Sequence, residues 1–433
     1  MQLVNWKEIL NDEFVQLQEE GKNVEALKEK YNSIEDTQGF KKVCEELYNN
    51  LDKLSKVDDY PYLEPSELHK IRLKLDNTAL NAEMTWTRDT LYDRIYGAWL
   101  GRTAGCLLGK PVEGWPRSKI SELLHEYGVY PLNHYFTNRY VPKDVETWMN
   151  DLYQQNAIEL CKAMPRDDDM DYTILALKTI ETYGLQFTSE NIAEMWLTHL
   201  PPLMTYTAER AAYFNLCSGI TIPEAAVLFN PYREWIGAQI RTDLYGYINP
   251  GNPQLAAEMA FRDAAVSHTS NGIYGAMFIS AMNAAAFVES DIETIIRVGA
   301  GQIPHTSRLY EAIHWVLQLK KVEPDWERAG DQLLERFKAY HRVHTINNAG
   351  IVCLALLYGE GDFEKTITIA TMMGLDTDCN AATAGSIIGI LKGANSLPDK
   401  WIKPLHDQIE SFIAGEGTQH ISKLALRTVS ILE

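Results

Sequence analysis

Two short acidic segments carry the residues best suited to chemistry. The first reads Pro165-Arg166-Asp167-Asp168-Asp169-Met170-Asp171-Tyr172-Thr173 and runs into the helical pattern Ile174 to Thr182. The second reads Gly374-Leu375-Asp376-Thr377-Asp378-Cys379-Asn380 and runs into the small-residue pattern Ala381 to Leu391. One Asp ahead of a helix is ordinary capping, worth about 1 kcal/mol. Capping accounts for one carboxylate in each segment, not for three in a row or for an Asp-Thr-Asp pair. Carboxylates sharing a site repel, and they demand either raised pKa values or a bound cation. If both segments face one cleft, Asp167, Asp168, Asp169, Asp376 and Asp378 form an all-oxygen ligand set. Such a set suits a hard cation, Mg²⁺ first, with Mn²⁺ or Ca²⁺ behind.

Three further segments are candidates for contact with a ligand. Glu113 follows Gly109-Lys110-Pro111-Val112 at the end of a small-residue helix, where Pro111 blocks continuation. A Glu on such a loop is ordinarily a solvated turn residue, yet its position leaves room for a catalytic role. His268 stands in Val266-Ser267-His268-Thr269-Ser270-Asn271-Gly272. A lone His near a helix start is commonly structural, but Ser267, Thr269, Ser270 and Asn271 add donors suited to sugar hydroxyls or phosphate. His341-Arg342-Val343-His344-Thr345-Ile346-Asn347-Asn348 is polar inside an apolar neighbourhood.

The elements that must position these residues read as helices. From about residue 90, Gly and Ala recur inside apolar helical patterns, as in Tyr96-Gly97-Ala98-Trp99-Leu100-Gly101 and Ala381 to Gly389. A helical Gly costs about 1 kcal/mol relative to Ala, so several together point to helices packed backbone-close. Period-2 alternation is rare and βαβ alternation is absent, which predicts an all-α fold. Residues 1–85 differ: they are rich in Glu, Lys, Leu and Asn. Val24, Leu27 and Tyr31 form one helical stripe, and Val43, Leu47 and Leu51 another. The expected organisation is an N-terminal helical extension, 1–85, ahead of an all-α catalytic domain, 86–433. The stretch Asp58 to Pro65 reads as a turn-rich linker, after which Ser66 is expected to cap a short helix.

Composition narrows the class. Lys plus Arg is 40 and Asp plus Glu is 59, a formal net charge of −19. That balance argues against nucleic acid and anionic membranes as partners. A hydrophobic content of 45% suffices for a full core. The six cysteines form no CxxC pair and no zinc spacing, as expected of free thiols in a reducing cytoplasm. The N-terminus shows no basic and apolar leader pattern, so a signal peptide is not expected. The most apolar stretch, Tyr274 to Phe287, is too short to span a bilayer.

Taken in order, these segments resemble the ADP-ribosylglycohydrolase family, the relatives of the dinitrogenase-reductase-activating glycohydrolase, from about Leu91 to Trp401. The resemblance rests on the Gly-rich helix ending in Gly109-Lys110-Pro111-Val112-Glu113, the Asp-Asp motif before a helix, the Ser-His-Thr segment, and Gly-x-Asp-Thr-Asp with its Ala/Gly-rich helix. It implies a compact all-α fold, a binuclear Mg²⁺ site (Mn²⁺ the alternative) and hydrolysis of the C1″ glycosidic bond of ADP-ribose. Ligands would come from a Thr-Asp-Asp motif and an Asp-x-Asp-Thr/Ser motif. Asp376 and Asp378 match the second motif directly, with Cys379 where Thr or Ser is usual.

Two registers fit the first motif. Asp168-Asp169 match with Asp167 replacing Thr, or Asp167-Asp168 match with Arg166 replacing it. The first is preferred, because it puts Tyr172 where the family has an apolar residue. The resemblance further implies that Glu113 lies near the scissile bond, and that Ser267, His268, Asn271, Gly272 and Gly374 contact the ADP-ribose-containing substrate. Alternatives are a ribonucleosidase acting on free metabolites, or a non-catalytic ADP-ribose-binding protein on the same fold.

Overall fold

The computed structural model describes residues 5–32, 34, 37–76, 80 and 86–433. The fold is all-α. Among the described residues, strand pairing beyond isolated bridges is confined to Gln408–Ile409 with Gln419–His420. The helices that matter below are α1 (Trp6–Glu19), α2 (Glu25–Asn32), α3 (Thr37–Tyr48), α4 (Arg88–Gly109), α5 (Asp168–Tyr183), α6 (Ser270–Ala286), α7 (Thr345–Gly359) and α8 (Thr377–Lys392).

The small residues of α4 and α8 explain how the two are held. Gly97, Gly101, Gly105 and Gly109 recur every fourth position and so share one face of α4. They meet Gly389, Gly385, Ala381 and Thr377 of α8, which runs antiparallel. A Cβ on Gly101 would lie 2.1 Å from the Gly385 carbonyl oxygen, and one on Gly105 would lie 2.0 Å from that of Ala381. At the end of the stripe, the Thr377 hydroxyl donates to the Gly109 carbonyl at 2.7 Å. Backbone contact at four successive turns offsets the helical cost of the glycines through close packing. It also fixes the C-terminus of α4 against the N-terminus of α8.

Helices α6 and α7 are buried almost throughout, α6 from Asn271 to Ala286 and α7 from Thr345 to Gly359. The apolar stretch from Tyr274 is therefore a core helix hydrophobic on all sides. Among the described residues, no helix is long and apolar enough to cross a membrane. All six cysteines are unpaired.

The N-terminal helices form a small core of Leu10, Phe14, Leu17, Val24, Val43, Cys44 and Leu47. Trp6 and Tyr48 close it edge-on around Phe229, at 5.1 and 5.0 Å between ring centroids. Buried polar contacts tie this layer to the body. Arg233 pairs with Glu13 and Glu20, both at 2.8 Å, and Gln16 donates to Glu234 at 2.8 Å. The linker is packed rather than loose, since Glu64 pairs with Arg308 at 2.8 Å and Leu63 N–H donates to Thr306 at 3.1 Å. Ser66 corrects its expected role. The short helix Leu68–Arg72 follows Glu67 and has no side-chain cap, while the Ser66 hydroxyl accepts the Ser270 N–H at 3.0 Å. It serves the start of α6, a pairing that only tertiary structure creates. The expected boundary at residue 85 lies outside the described residues.

Candidate functional site

The contact between α4 and α8 brings distant segments to one place. After Gly109 a single 3-10 turn, Lys110–Val112, ends α4 and releases Glu113. The loop that follows pairs with the loop before α8. Gly114 N–H donates to Leu375 at 2.8 Å, and Leu375 N–H donates to Trp115 at 3.0 Å. Gly374 sits in the left-handed region, with φ 75°, where its Cα hydrogen faces the Trp115 carbonyl; a Cβ there would lie 2.6 Å from it. Glu113 is thereby held beside Asp376 and Asp378.

The N-terminus of α5 completes the cluster. Ligand-capable atoms of Cys106, Asp167, Asp169 and Asp378 all lie within 4.8 Å of one another, as do those of Asp376, Asp378 and Cys379. The two acidic segments, some two hundred residues apart in sequence, therefore meet. Asp167, Asp169, Asp376 and Asp378 are buried, whereas Asp168 and Glu113 keep partial exposure and leave the cluster open on that side.

Capping separates the two segments. Asp167 is the N-cap of α5, its Oδ1 accepting the Asp169 N–H at 2.9 Å. Asp376 holds the N-cap position of α8, but its carboxylate makes no capping bond. Capping thus accounts for Asp167 but not for Asp376, whose carboxyl bonds to the side chains of Cys379 and Asp378 instead.

Two cations missed in the sequence are built into the cluster. The Lys110 ammonium donates to Asp167 Oδ2, so both oxygens of Asp167 are committed. Arg102, fully buried in α4, pairs with Asp169 at 3.2 Å and with Asp243 at 3.0 Å. A charged residue inside the apolar run Ala98 to Leu108 was the available signal for Arg102. For Lys110 the signal was only its place ahead of Pro111.

The electrostatics follow. Burial, then the neighbouring Asp167, pushes Asp168 up to about 7 and Asp378 up to about 6. Burial followed by Asp378 raises Asp376 well above the ordinary carboxylate value, and burial followed by Asp167 does the same to Asp169. Glu113 is raised in the same way, by burial and then Asp378. Burial opposes ionisation of Asp167 as well, but Lys110 outweighs it and the pKa falls. Cys379 is a protonated thiol, raised by burial and then Asp169. The buried Asp378 Oδ1 has no hydrogen-bond partner. A partnerless carboxylate oxygen among mutually repelling carboxylates fits a hard divalent cation.

The Ser-His-Thr segment lies elsewhere in this architecture. Ser267 accepts from Arg241 at 2.9 Å and sits 2.8 Å from His268 Nδ1. Arg241 also pairs with Glu209 and Asp263, and its guanidinium lies over the Tyr172 ring. His268 is buried, and its pKa is lowered well below the usual value by burial and then Arg241, so it is a neutral imidazole. The 3-10 turn Ile236–Arg241 stands between this network and the carboxylates: Ile236 and Ile240 pack on Cys379 while Arg241 faces Ser267.

The Asn271 amide is turned to structural partners, donating to Glu234 at 2.8 Å and accepting the Leu309 N–H at 3.1 Å. Gly272 gives room to the Arg233 carbonyl, which a Cβ would approach to 2.5 Å. The polar segment at 341 does reach the cluster's neighbourhood. Asn380, two residues past Asp378, donates to Asn348 at 2.7 Å. The Arg342 guanidinium lies over Trp148 beside Gly114, next to Glu113.

The chain belongs to the ADP-ribosylglycohydrolase family, which it matches over residues 87–430. That makes it a glycoside hydrolase, of a family acting on ADP-ribose-type substrates. A solved "ADP-ribosylglycohydrolase-related protein complex" is 17% identical; the alignment covers 80% of this chain and 100% of that one, with a TM-score of 0.43, and no argument rests on it. No curated protein matches the chain.

Proposed function

We propose that this protein hydrolyses the C1″ glycosidic bond of ADP-ribose, in an ADP-ribosylated protein or a small ADP-ribosyl compound, with Mg²⁺ as its cation. The observation that supports this reading best is the meeting of Asp378 with Asp167 and Asp169 beside the partly exposed Glu113. Asp376 and Asp378, with Asp167, Asp168 and Asp169 facing them from the start of α5, would hold the divalent cation; when bound, such an ion orients the ribose hydroxyls and acidifies a water. Burial and then Asp378 raise the pKa of Glu113, which suits it to giving a proton to the departing group. The negative charge of the surrounding carboxylates favours the oxocarbenium-like charge that develops on the ribose. Ser267 and His268 support the site from behind, through Arg241 and Tyr172. In this reading residues 86–433 carry the chemistry, residues 1–85 brace it, and the free thiols suit a cytoplasmic enzyme.

The test is release of free ADP-ribose, measured by chromatography, from ADP-ribosyl-arginine and ADP-ribosyl-serine peptides with Mg²⁺ or with chelator. Release that needs Mg²⁺ and falls about 10²–10⁴-fold in Glu113→Gln supports the proposal. Turnover confined to free nucleosides identifies a ribonucleosidase instead. Binding of ADP-ribose without turnover of any substrate identifies a binding protein.

A further inference from the structure

One arginine at the mouth of the site has no anion of its own. The Arg342 guanidinium lies over the Trp148 ring, 5.1 Å from its centroid, and a Cβ on Gly114 would lie 2.3 Å from its Nη1. Gly114 directly follows Glu113, so this charge stands on the Glu113 side of the opening. Both Arg342 and Trp148 are exposed, Trp148 to 41%. Among the described residues no carboxylate pairs with Arg342 and no hydrogen bond engages its N–H groups. Yet carboxylates are in surplus, 59 against 40 Lys and Arg, and Arg102 and Arg166 beside the same cluster are paired with Asp169 and Asp171. Both partners are anchored. The Arg342 carbonyl accepts the Asn348 side-chain amide at 2.8 Å, and the next residue, Val343, packs on Cys379. Trp148 belongs to the helix Thr147–Gln155, which packs on the turn Lys110–Val112 and stacks Tyr153 on Trp115 at 5.9 Å.

We infer that Arg342, seated on Trp148, selects the departing group: the site favours ADP-ribose attached to an acidic peptide segment and disfavours ADP-ribose attached to arginine. The inference rests on the proposed function and adds its substrate class. In that reading Glu113 gives its proton to the departing group, so what lies beside Glu113 meets that group rather than the ADP-ribose. A guanidinium resting on an aromatic face keeps its edge N–H donors free, and that edge matches a carboxylate in a bidentate pair. The carboxylate cluster repels an acidic segment, and Arg342 opposes that repulsion where the segment would lie. Lys110 does not serve this purpose, because its ammonium is bonded to Asp167. An arginine-linked substrate would set a second guanidinium against the first, and like charges brought together across an interface suppress binding.

The test uses the full chain with Mg²⁺ and three peptides: ADP-ribosyl-serine flanked by glutamates, the same serine flanked by lysines, and ADP-ribosyl-arginine. Released ADP-ribose is measured by chromatography and read as kcat/KM. The glutamate-flanked peptide should be favoured over the lysine-flanked one by about tenfold, the order of one charge-assisted hydrogen bond. Arg342→Gln should bring the two together, Arg342→Glu should invert them, and Arg342→Lys should keep part of the preference. Inhibition by free ADP-ribose should be the same in wild type and Arg342→Gln, since that product lacks the departing group. Equal rates for the two serine peptides in wild type, or faster release from the arginine peptide, would overturn the inference and leave the proposed function standing. Weaker inhibition by ADP-ribose in Arg342→Gln would assign the guanidinium to the diphosphate and overturn the inference as well. No release from any ADP-ribosyl substrate would overturn both.

Discussion

Gly101→Ala tests whether the α4–α8 contact is as tight as its geometry implies. In an ordinary helix this change stabilises by about 1 kcal/mol, because Ala is the better helix former. Here the new Cβ would lie 2.1 Å from the Gly385 oxygen and 2.9 Å from its carbonyl carbon, against 3.4–4 Å for ordinary contact. Both obstacles are backbone, so no side-chain rotation relieves them, and the helices must part by more than 1 Å. Overpacking of this kind costs about 1–3 kcal/mol, and the rigid obstacle puts the change at the upper end or beyond. Net of the propensity gain, a loss of roughly 2 kcal/mol is expected.

For 433 residues, the unfolding entropy is about 0.9 kcal/mol/K, so the thermal midpoint should fall by roughly 2 °C. Gly350→Ala is the matched control in α7. Its Cβ would meet only the Leu333 and Phe337 side chains, at 3.3 Å and beyond, which can yield. The expected pattern, read by differential scanning calorimetry, is a lower midpoint for Gly101→Ala and an unchanged or higher one for Gly350→Ala. An equal rise in both would refute the close-contact argument.

Other expectations concern the cluster and its brace. In chelator, Asp168 is held near 7 when folded, above its unfolded value, so the stability tied to its protonated form is lost as pH rises through 7. The midpoint of Asp168→Asn should therefore gain on wild type between pH 5.5 and 8, and a gap that shrinks with pH would contradict this. Cys379→Ser restores an oxygen next to Asp376 and Asp378 and should tighten Mg²⁺ more than Mn²⁺, measured by calorimetric titration; no change in either affinity would place the thiol outside the ligand sphere. Arg233→Ala leaves the buried Glu13 without its cation and should cost about 3–5 kcal/mol, lowering the thermal midpoint by several degrees. A wild-type midpoint would show that this pair does not hold the N-terminal layer.

The helices and the acidic segments were legible because their signals are local. The every-fourth-residue glycines announce close packing, and an Asp-Thr-Asp run cannot be explained by one cap. The differing fates of the five aspartates were not legible. Asp167 and Asp376 both sit at N-cap positions, but only the first bends its carboxylate onto the backbone, and that depends on Lys110 arriving from another helix. Ser66 and Asn271 show the same limit. Each has the composition of a local cap or ligand donor, and each is consumed by a partner distant in sequence, Ser270 and Glu234 respectively. The buried Arg241 network behind His268 was invisible for the same reason, since its carboxylates come from Glu209 and Asp263 on separate helices.

The central claim is that the acidic cluster is a cation site, and Asp376→Asn tests it most directly. Asp376 is 4% exposed, makes no capping bond, and is raised by burial and then by Asp378. Removing its charge relieves repulsion when no metal is present and removes a ligand when metal is present. Thermal midpoints of wild type and mutant, each in chelator and in excess Mg²⁺, separate the two effects, because a ligand that binds the native state raises the midpoint by mass action. The expected result is a higher midpoint for the mutant in chelator and a smaller Mg²⁺-induced rise. An equal Mg²⁺-induced rise in both proteins, or none in wild type, would contradict the claim.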